Sequence, residues 1–421
     1  MRRAAWVAVL SVLPLAAVAE PLTLEAALAA AAAPHPERRI AESELALARA
    51  EHLEAASRRD FSLYLDGALR RGRRPDDGWK PDNALRLVAR KPVLDFGRSS
   101  DSIAATERGV EAREAELVGT LSARRVDIMA RYFDVLLADM QYAADNEFMA
   151  VAYVSWDNAT DRFEVGDISQ PELLRLEADY QDIRERRNAS MQRMRMARQR
   201  LAHAINRPAE LPGDLIEPAL ADNRRSLPEF EALLAWVMEN NPRVRALKAE
   251  VAAAEARISA VRNERNPTLD VEVAGSRYSR ESTTRDDVSA GLVFTVPFYQ
   301  GRRVDARIAR ELAQRERSAA ELEKLGLDLK DAVLATLQEI EWLRGSAQIA
   351  ADRQIEYRDW ALERARAEYE LELKTNLGTS MAETQVAQLR RKRVEYQLAL
   401  ALARLEALSG GSLPPTGGIQ Q

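Results

Sequence analysis

The chain has 421 residues, with 61 Lys and Arg against 66 Asp and Glu, a net charge of −5 and no cysteine. That balance gives no electrostatic case for a nucleic-acid partner, and the lack of cysteine rules out a disulfide framework and argues against a lipidated cysteine tether. Charged residues make up 30% and aromatics only 6%, which suits long solvated helices better than one compact core.

Residues 1–19 read as a secretory signal. Arg2 and Arg3 form the charged start, Ala4 to Val12 the apolar middle, and Ala17-Val18-Ala19 the cleavage site. Export is therefore expected. Pro14 interrupts the apolar run, which also falls short of the ~20 residues of a spanning helix. No later stretch is long and apolar enough to be one, so any membrane span must be β-structure.

A first repeat is expected over residues 20–206. It opens with a helix at about Leu24 to Arg58. Phe61-Ser62-Leu63-Tyr64-Leu65-Asp66 then alternates with period two, and Leu85-Arg86-Leu87-Val88-Ala89-Arg90 does so more weakly. These predict a hairpin at about 61–94 around a polar loop from Arg70 to Asp82. Pro92-Val93-Leu94-Asp95-Phe96-Gly97-Arg98 follows. From Arg98 to Gln170 there is no proline, and Leu121, Ile128, Val135, Tyr142, Met149, Trp156 and Phe163 fall seven residues apart, the seam of a coiled-coil-like helix. About 65 residues at 1.5 Å each would be roughly 100 Å long. Ser169-Gln170-Pro171-Glu172 has the capping-box form, and Leu173, Leu176, Tyr180, Ile183, Met194 and Leu201 mark the next helix.

Residues 207–227, rich in proline, read as a linker. The second repeat, 228–410, has the same parts: a helix at about Pro228 to Asn263 and a hairpin at about 268–298. Its strands are Leu269-Asp270-Val271-Glu272-Val273 and Val288-Ser289-Ala290-Gly291-Leu292-Val293-Phe294. Pro297-Phe298-Tyr299-Gln300-Gly301-Arg302 then leads into a helix with Leu322, Leu329, Leu343, Ala350 and Tyr357 on the seven-residue spacing and Thr336 as its polar member. Ser380-Met381-Ala382-Glu383 repeats the capping box before a helix carrying Val386, Leu389, Tyr396 and Leu400. Residues 411–421 read as a flexible tail.

Three landmarks recur in one order at one offset. Pro92 and Pro297 are 205 residues apart, Pro36 of His35-Pro36-Glu37 and Pro242 of Asn241-Pro242-Arg243 are 206 apart, and so are Phe163 and Tyr369. Such spacing indicates an internal duplication. A sheet packed on a helix layer would also explain the alternation, but four short strands between such long helices have no obvious layer to lie on. Strands in lipid must close into a barrel, because open edges leave backbone groups unsatisfied. Four cannot close, whereas three chains of four give about twelve. Leu63, Leu65, Val271, Val273, Leu292 and Phe294 would then face lipid, and Asp66, Asp270 and Glu272 water.

The order of helix, hairpin, Pro-to-Gly-Arg segment, long helix, Tyr/Phe-x-x-Gly break and helix, repeated once over about Leu22 to Gly410, resembles the TolC-like outer membrane efflux proteins. The Leu24-Glu25-Ala26-Ala27-Leu28 start followed by His35-Pro36-Glu37 adds to the likeness. The resemblance implies a mostly α fold with a small β part: a homotrimer whose 12-stranded outer membrane β-barrel continues as a 12-helix periplasmic α-barrel. Its partners would be a periplasmic adaptor (membrane fusion) protein, an inner-membrane pump and outer membrane lipid. The strand-to-helix junctions would be Pro92, Gly97 and Arg98, and Pro297, Gly301 and Arg302. The periplasmic tip, gate and adaptor contact would comprise Phe163, Gly166, Asp167, Ile168, Ser169 and Glu172, with Tyr369, Lys374, Leu377, Gly378 and Thr379. The second repeat departs from the family pattern, with Gly378 and Met381 where an acidic residue is expected and Glu372 opposite Gly166.

Plainer accounts stand beside these. Glu172 caps its own helix, which is sufficient to explain it. Tyr369 and Lys374 either lock the closed tip or lie on the surface. The cluster Arg70, Arg71, Arg73 and Arg74 either meets anionic lipid or is a solvated loop, the commoner case. His35, His52 and His203 lack neighbours at metal-ligand spacing, and no nucleophile elbow or phosphate-cradling loop occurs. The expectation is a passive conduit that is not an enzyme and holds no cofactor or metal. Drug, metal-ion and protein cargoes are not separated by the sequence, and a periplasmic coiled-coil structural or adaptor protein stays open as the alternative.

Overall fold

The structure, a computed structural model, describes residues 21–74, 77–280, 285–371 and 377–414. The expected signal at 1–19, Lys374, Glu372 and most of the expected tail lie outside these residues.

Each repeat opens with two helices rather than one. α1 (Leu24–Ala29) runs into a short 3₁₀ turn, and α2 (Pro36–Ser57) begins afresh after Pro34 and His35. A residue that precedes proline is pushed out of the helical region, and His35 is extended at φ −145 with its Nδ1 accepting from Glu37 N–H. In the second repeat α5 (Phe230–Asn240) and α6 (Pro242–Arg262) meet at Asn241, whose Oδ1 accepts from Arg243 N–H at 2.9 Å and Val244 N–H at 3.2 Å. The landmarks His35-Pro36 and Asn241-Pro242 are therefore equivalent N-caps with proline in the first turn.

Among the described residues there are six strands, β1 (Ser62–Ala68), β2 (Arg71–Arg74), β3 (Asp77–Pro81), β4 (Ala84–Leu94), β5 (Thr268–Tyr278) and β6 (Val288–Thr295), of which β1, β4, β5 and β6 follow the period-two segments. One antiparallel sheet has the order β1-β4-β5-β6, and β2-β3 forms a separate ribbon. Part of the expected Arg70–Asp82 loop is thus strand. After β4 the chain turns through Gly97 at φ +95 and after β6 through Gly301 at φ +64, a backbone conformation that costs L-residues about 1–2 kcal/mol and glycine almost nothing. Asp95 caps the emerging helix by accepting from Ser99 N–H at 2.9 Å.

The long helices are α3 (Arg98–Glu164), α4 (Gln170–Ala204), α7 (Arg303–Trp342), α8 (Gln348–Glu370) and α9 (Gly378–Leu408). The first seam is buried through Ile128 and Val135 and opens towards an exposed Phe163. The second is corrected. Leu329, Thr336 and Leu343 are buried as expected, but Ala350 and Tyr357 are exposed and Ala351 takes the buried place. A π-helical turn at Leu343–Ala347 inserts one extra residue, so the stripe advances by one position. The capping boxes are corrected too. Ser169 is an N-cap, but its backbone carbonyl, not its hydroxyl, receives Glu172 N–H. Ser380 lies inside α9, because Leu377 C=O already accepts from Met381 N–H and starts the helix earlier.

The chain divides into two compact units, interleaved in sequence. One comprises residues up to Ala33, Asp127–Ala221 and Ala347–Tyr396. Its centre is Tyr132, Phe133 and Tyr396, with the Phe133 and Tyr396 rings stacked at 4.5 Å. The Tyr132 hydroxyl lies 2.7 Å from Leu22 C=O and 2.5 Å from Ile216 C=O. It thereby ties the linker to the start of the chain, where Leu22 and Leu215 form a parallel bridge. Burial raises the Tyr132 pKa to about 12 against the partial offset of its bond to Ile216. The other unit comprises Pro34–Val126, Asp222–Ser346 and residues from Gln397 onward, and contains the sheet. Ala112, Ala115, Ala246 and Ala249 form a tight buried cluster between α3 and α6, where small side chains let helix backbones approach. At its π turn, Arg344 donates to Asn223 C=O and Arg225 C=O. Burial, and secondarily Arg225, lowers the Arg344 pKa.

Candidate functional site: a two-faced sheet and a helix tip

The sheet register sorts side chains onto two chemically opposite faces. Leu65 faces Leu87, Leu87 faces Gly275, and Gly275 faces Val288. Since alternate residues share a face, this side carries Leu63, Leu65, Leu85, Leu87, Ala89, Leu269, Val271, Val273, Ala290, Leu292 and Phe294. Charge enters this face of the sheet only towards its ends, at Lys91 and Arg277. Leu63, Leu65, Val288, Leu292 and Phe294 are each more than half exposed, and an apolar patch of this kind marks a surface that something apolar covers.

The opposite face is polar. Asp66 pairs across the strands with Arg86, and Arg90 with Glu272. Arg90 donates to Glu272 from Nε at 3.2 Å and Nη2 at 2.6 Å, and the Arg86 guanidinium lies 3.5 Å from the same carboxylate. Asp270 shares this face and lines a cavity of about 490 Å³ at the junction with the helices, together with Asp95, Arg98, Glu264 and Arg307. Sequence reasoning placed Asp66, Asp270 and Glu272 on one side but missed Arg86 and Arg90. Their shared parity with Asp66 and Glu272 was the signal. The strands β4 and β5 have 11 residues each, the length of a tilted strand that crosses hydrocarbon. Among the described residues no helix is long and apolar enough to cross a membrane. The outer edges of β1 and β6 carry no partner strand among the described residues.

The first helix break is compact. Gly166 N–H donates to Phe163 C=O at 2.9 Å and Asp167 N–H to Arg162 C=O at 2.8 Å, the paired bonds of a Schellman ending, with Gly166 at φ +79. The Arg162 guanidinium closes the turn on Asp167 at 2.7 Å. Phe163, Gly166, Asp167, Ile168, Ser169 and Glu172 thus form one turn, with Ile168 half-buried and Glu172 exposed. About two helical turns from Phe163 on the same helix pair, Trp156 stacks on Tyr180 at 5.3 Å, and Tyr153 packs edge-on against both. In the second break Tyr369 is exposed, while Leu377, Gly378 and Thr379 are half-buried at the start of α9. Arg358 and Glu383 form an ion pair between α8 and α9. Pro92 and Pro297 close the strands, and Arg98 and Arg302 open the helices with exposed side chains. Among the described residues no group of His, Asp and Glu is placed to hold a metal ion.

Comparison with known proteins shows what this architecture resembles. Residues 233–411 match the outer membrane efflux protein family. That segment runs from α5 through β5, β6 and the second helix break to the end of α9. The family recognised in the sequence is thus borne out by the second repeat. The fold agrees over nearly the whole chain. A structure of the Campylobacter jejuni outer membrane channel CmeC has a TM-score of 0.75 at 14% identity, over 93% of this chain and 86% of its own. CusC, studied for transmembrane channel formation, gives 0.74 at 17% identity over 94% and 93%. The Vibrio cholerae outer membrane protein VceC gives 0.71 at 17% identity over 92% and 96%. No curated protein sequence matches. Like the efflux channels, this chain is mostly helical with a small sheet.

Proposed function

We propose that the chain is the outer membrane exit duct of a tripartite efflux or type I secretion system. The observation that carries this reading is the sheet, apolar and exposed on one face, ion-paired on the other, and open at both edges. Three copies would join their hairpins into a twelve-stranded barrel with the leucine face in lipid and the Arg86–Glu272–Arg90 face on water, and continue it with twelve helices in the periplasm. Each repeat, 20–206 and 228–410 about the linker 207–227, contributes one hairpin and one helix set. The two helix breaks form the tip at which an adaptor protein and an inner-membrane pump dock and open the passage. The conduit is passive, with energy supplied by the pump. The likeness in fold to solved outer membrane channels supports the channel reading, and the outer membrane efflux family match over residues 233–411 supports the location.

Fractionation of cells that express the full chain, followed by bilayer recording, tests the proposal. A detergent-extracted outer membrane trimer that gives discrete conductance steps in planar bilayers is expected. A soluble periplasmic monomer without conductance would return the coiled-coil adaptor reading.

A further inference from the structure

The apolar face of the sheet does not end with β1 and β4. The ribbon β2–β3 keeps their register: Ala68 faces Ala84, then Arg71 faces Pro81, Gly72 faces Lys80 and Arg73 faces Trp79. One alternation therefore runs through both pairs. Leu69, Arg71, Arg73 and Trp79 share the face of Leu63 and Leu65, beyond the leucine band and at the sheet end remote from the helices. Leu69 and Trp79 are well exposed, and so are Arg71 and Arg73.

The opposite face at the same level is already neutralised. Asp82 holds Arg70 at 2.7 Å and Arg285 at 2.9 Å, and Arg285 lies over the Tyr278 ring at 4.8 Å. The hairpin thus pairs its inward arginines and leaves Arg71 and Arg73 outward, in ion pairs with none of the described residues. Arg277 shares this face too, opposite Leu85 on the β4–β5 side, so on the β1–β4 hairpin itself the outward arginines are Arg71 and Arg73. A solvated loop would require neither this sorting by face nor a tryptophan beside the arginines. A surface where apolar side chains give way to Trp and then to free guanidinium groups matches the boundary of a bilayer. There an indole sits at head-group depth, and guanidinium groups bind phosphate oxygens in pairs.

We infer that Arg71 and Arg73 bind phosphate-bearing lipid head groups of the leaflet into which this end of the sheet emerges, with Trp79 seated among them. The inference rests on the membrane-spanning reading of the sheet and adds a lipid preference to it. Attraction of a basic side chain to an anionic bilayer surface is worth about a fivefold gain in occupancy.

The test uses the purified full-length protein in vesicles of phosphatidylcholine mixed with brominated phosphatidylcholine or brominated phosphatidylglycerol. The chain has six tryptophans, so the quenching of Trp79 is taken as the difference between wild type and Trp79→Phe. Stronger quenching by phosphatidylglycerol is expected, equivalent to about a thirtyfold preference for the two arginines together. It should fall to near parity in Arg71→Gln/Arg73→Gln and at about 1 M salt, where the screening length is only ~3 Å. It should persist when millimolar inorganic phosphate is added, since the site is built for lipid. Equal quenching by the two lipids, a preference unchanged in the double variant, or its loss to free phosphate would each overturn the inference. Conductance recorded from the same vesicles separates the two readings. A conducting protein with unquenched Trp79 overturns only the lipid contact, whereas a protein that neither inserts nor conducts overturns the exit-duct reading and this one with it.

Discussion

Leu292→Arg tests what covers the apolar face. Leu292 lies mid-way along β6, opposite Val271, and 68% of its surface is open. It contributes little packing within the chain. In a sheet bathed by water, exchanging it for arginine would change stability by no more than about 0.5 kcal/mol. Facing hydrocarbon, an arginine near the bilayer middle costs about 2–4 kcal/mol. A three-chain barrel bears it three times, about 6–12 kcal/mol, which is as large as the whole folding free energy of a typical domain. Ser289→Arg on the same strand is the matched control. Ser289 faces Ala274 on the polar side, and an arginine there stays in water. The assay is the yield of heat-modifiable oligomer in the outer membrane fraction. Leu292→Arg should lower it more than about tenfold, and Ser289→Arg should leave it within about twofold, tenfold corresponding to ~1.4 kcal/mol. Equal yields from the two variants would refute the assignment of the faces.

Tyr132→Phe removes the donor shared by Leu22 C=O and Ile216 C=O and should cost about 1 kcal/mol in urea denaturation. The same group predicts an alkaline effect. Its folded-state pKa is raised from 10.0 to about 12, so the neutral phenol is favoured by folding. Its contribution is complete below pH 10 and is lost as pH rises towards 12. Wild type should show that drop and Tyr132→Phe should not. Gly166→Ala forces an L-residue to φ +79 and should cost about 1–2 kcal/mol, seen as faster amide exchange at Gly166 and Asp167 with little change in α3 before Tyr142. Asp145→Ala removes a carboxylate that is 1% exposed and accepts from Arg186 at 2.7 Å and Gln141 at 3.1 Å. It should lower thermal stability by about 1.5–3 kcal/mol per charged bond lost. A cost below about 0.5 kcal/mol would show that Arg186 is as well placed in water.

Much of the fold was legible because it depends on short-range rules. Period-two alternation at Leu63 and Leu65 gave the strands, and the proline-free runs gave α3 and α7. The repeated Pro-to-Gly-Arg segments gave the two turns, which Gly97 and Gly301 make at positive φ. The misses have one physical character. The π turn at Leu343–Ala347 leaves no mark in composition, since Leu-Arg-Gly-Ser-Ala fits an α-helix apart from one glycine. It shows only in the carbonyls of Asn223 and Arg225, 119 and more residues away, that hold Arg344. Ser169 satisfied a capping pattern that the backbone carbonyl fulfilled without it, because local motifs state what can bond and not what does. The polar face of the sheet was half legible. Its acids stood out among valines, while Arg86 and Arg90 looked like ordinary surface arginines until β5 brought Glu272 beside them.

The free edges of the sheet bear on how copies of the chain would join. Along the order β1-β4-β5-β6 every neighbour is antiparallel, so β1 and β6 run in opposite directions, and in the proposed assembly β6 of one copy would meet β1 of the next as another antiparallel pair. The two edges are nearly equal in length, seven residues in β1 and eight in β6. Each exposes leucine, valine or phenylalanine on one side and serine on the other, so joining them continues both faces without a break. A head-to-tail contact of this kind closes into a ring when the rotation between copies divides a full turn. Sheet twist and strand tilt then fix how many copies are needed, and at least eight strands are required to leave room inside. In hydrocarbon an unjoined edge would leave a row of backbone N–H and C=O groups unpaired, at several kcal/mol each. If the four strands lie in lipid as proposed, the chain would therefore be stable only with copies of itself on either side.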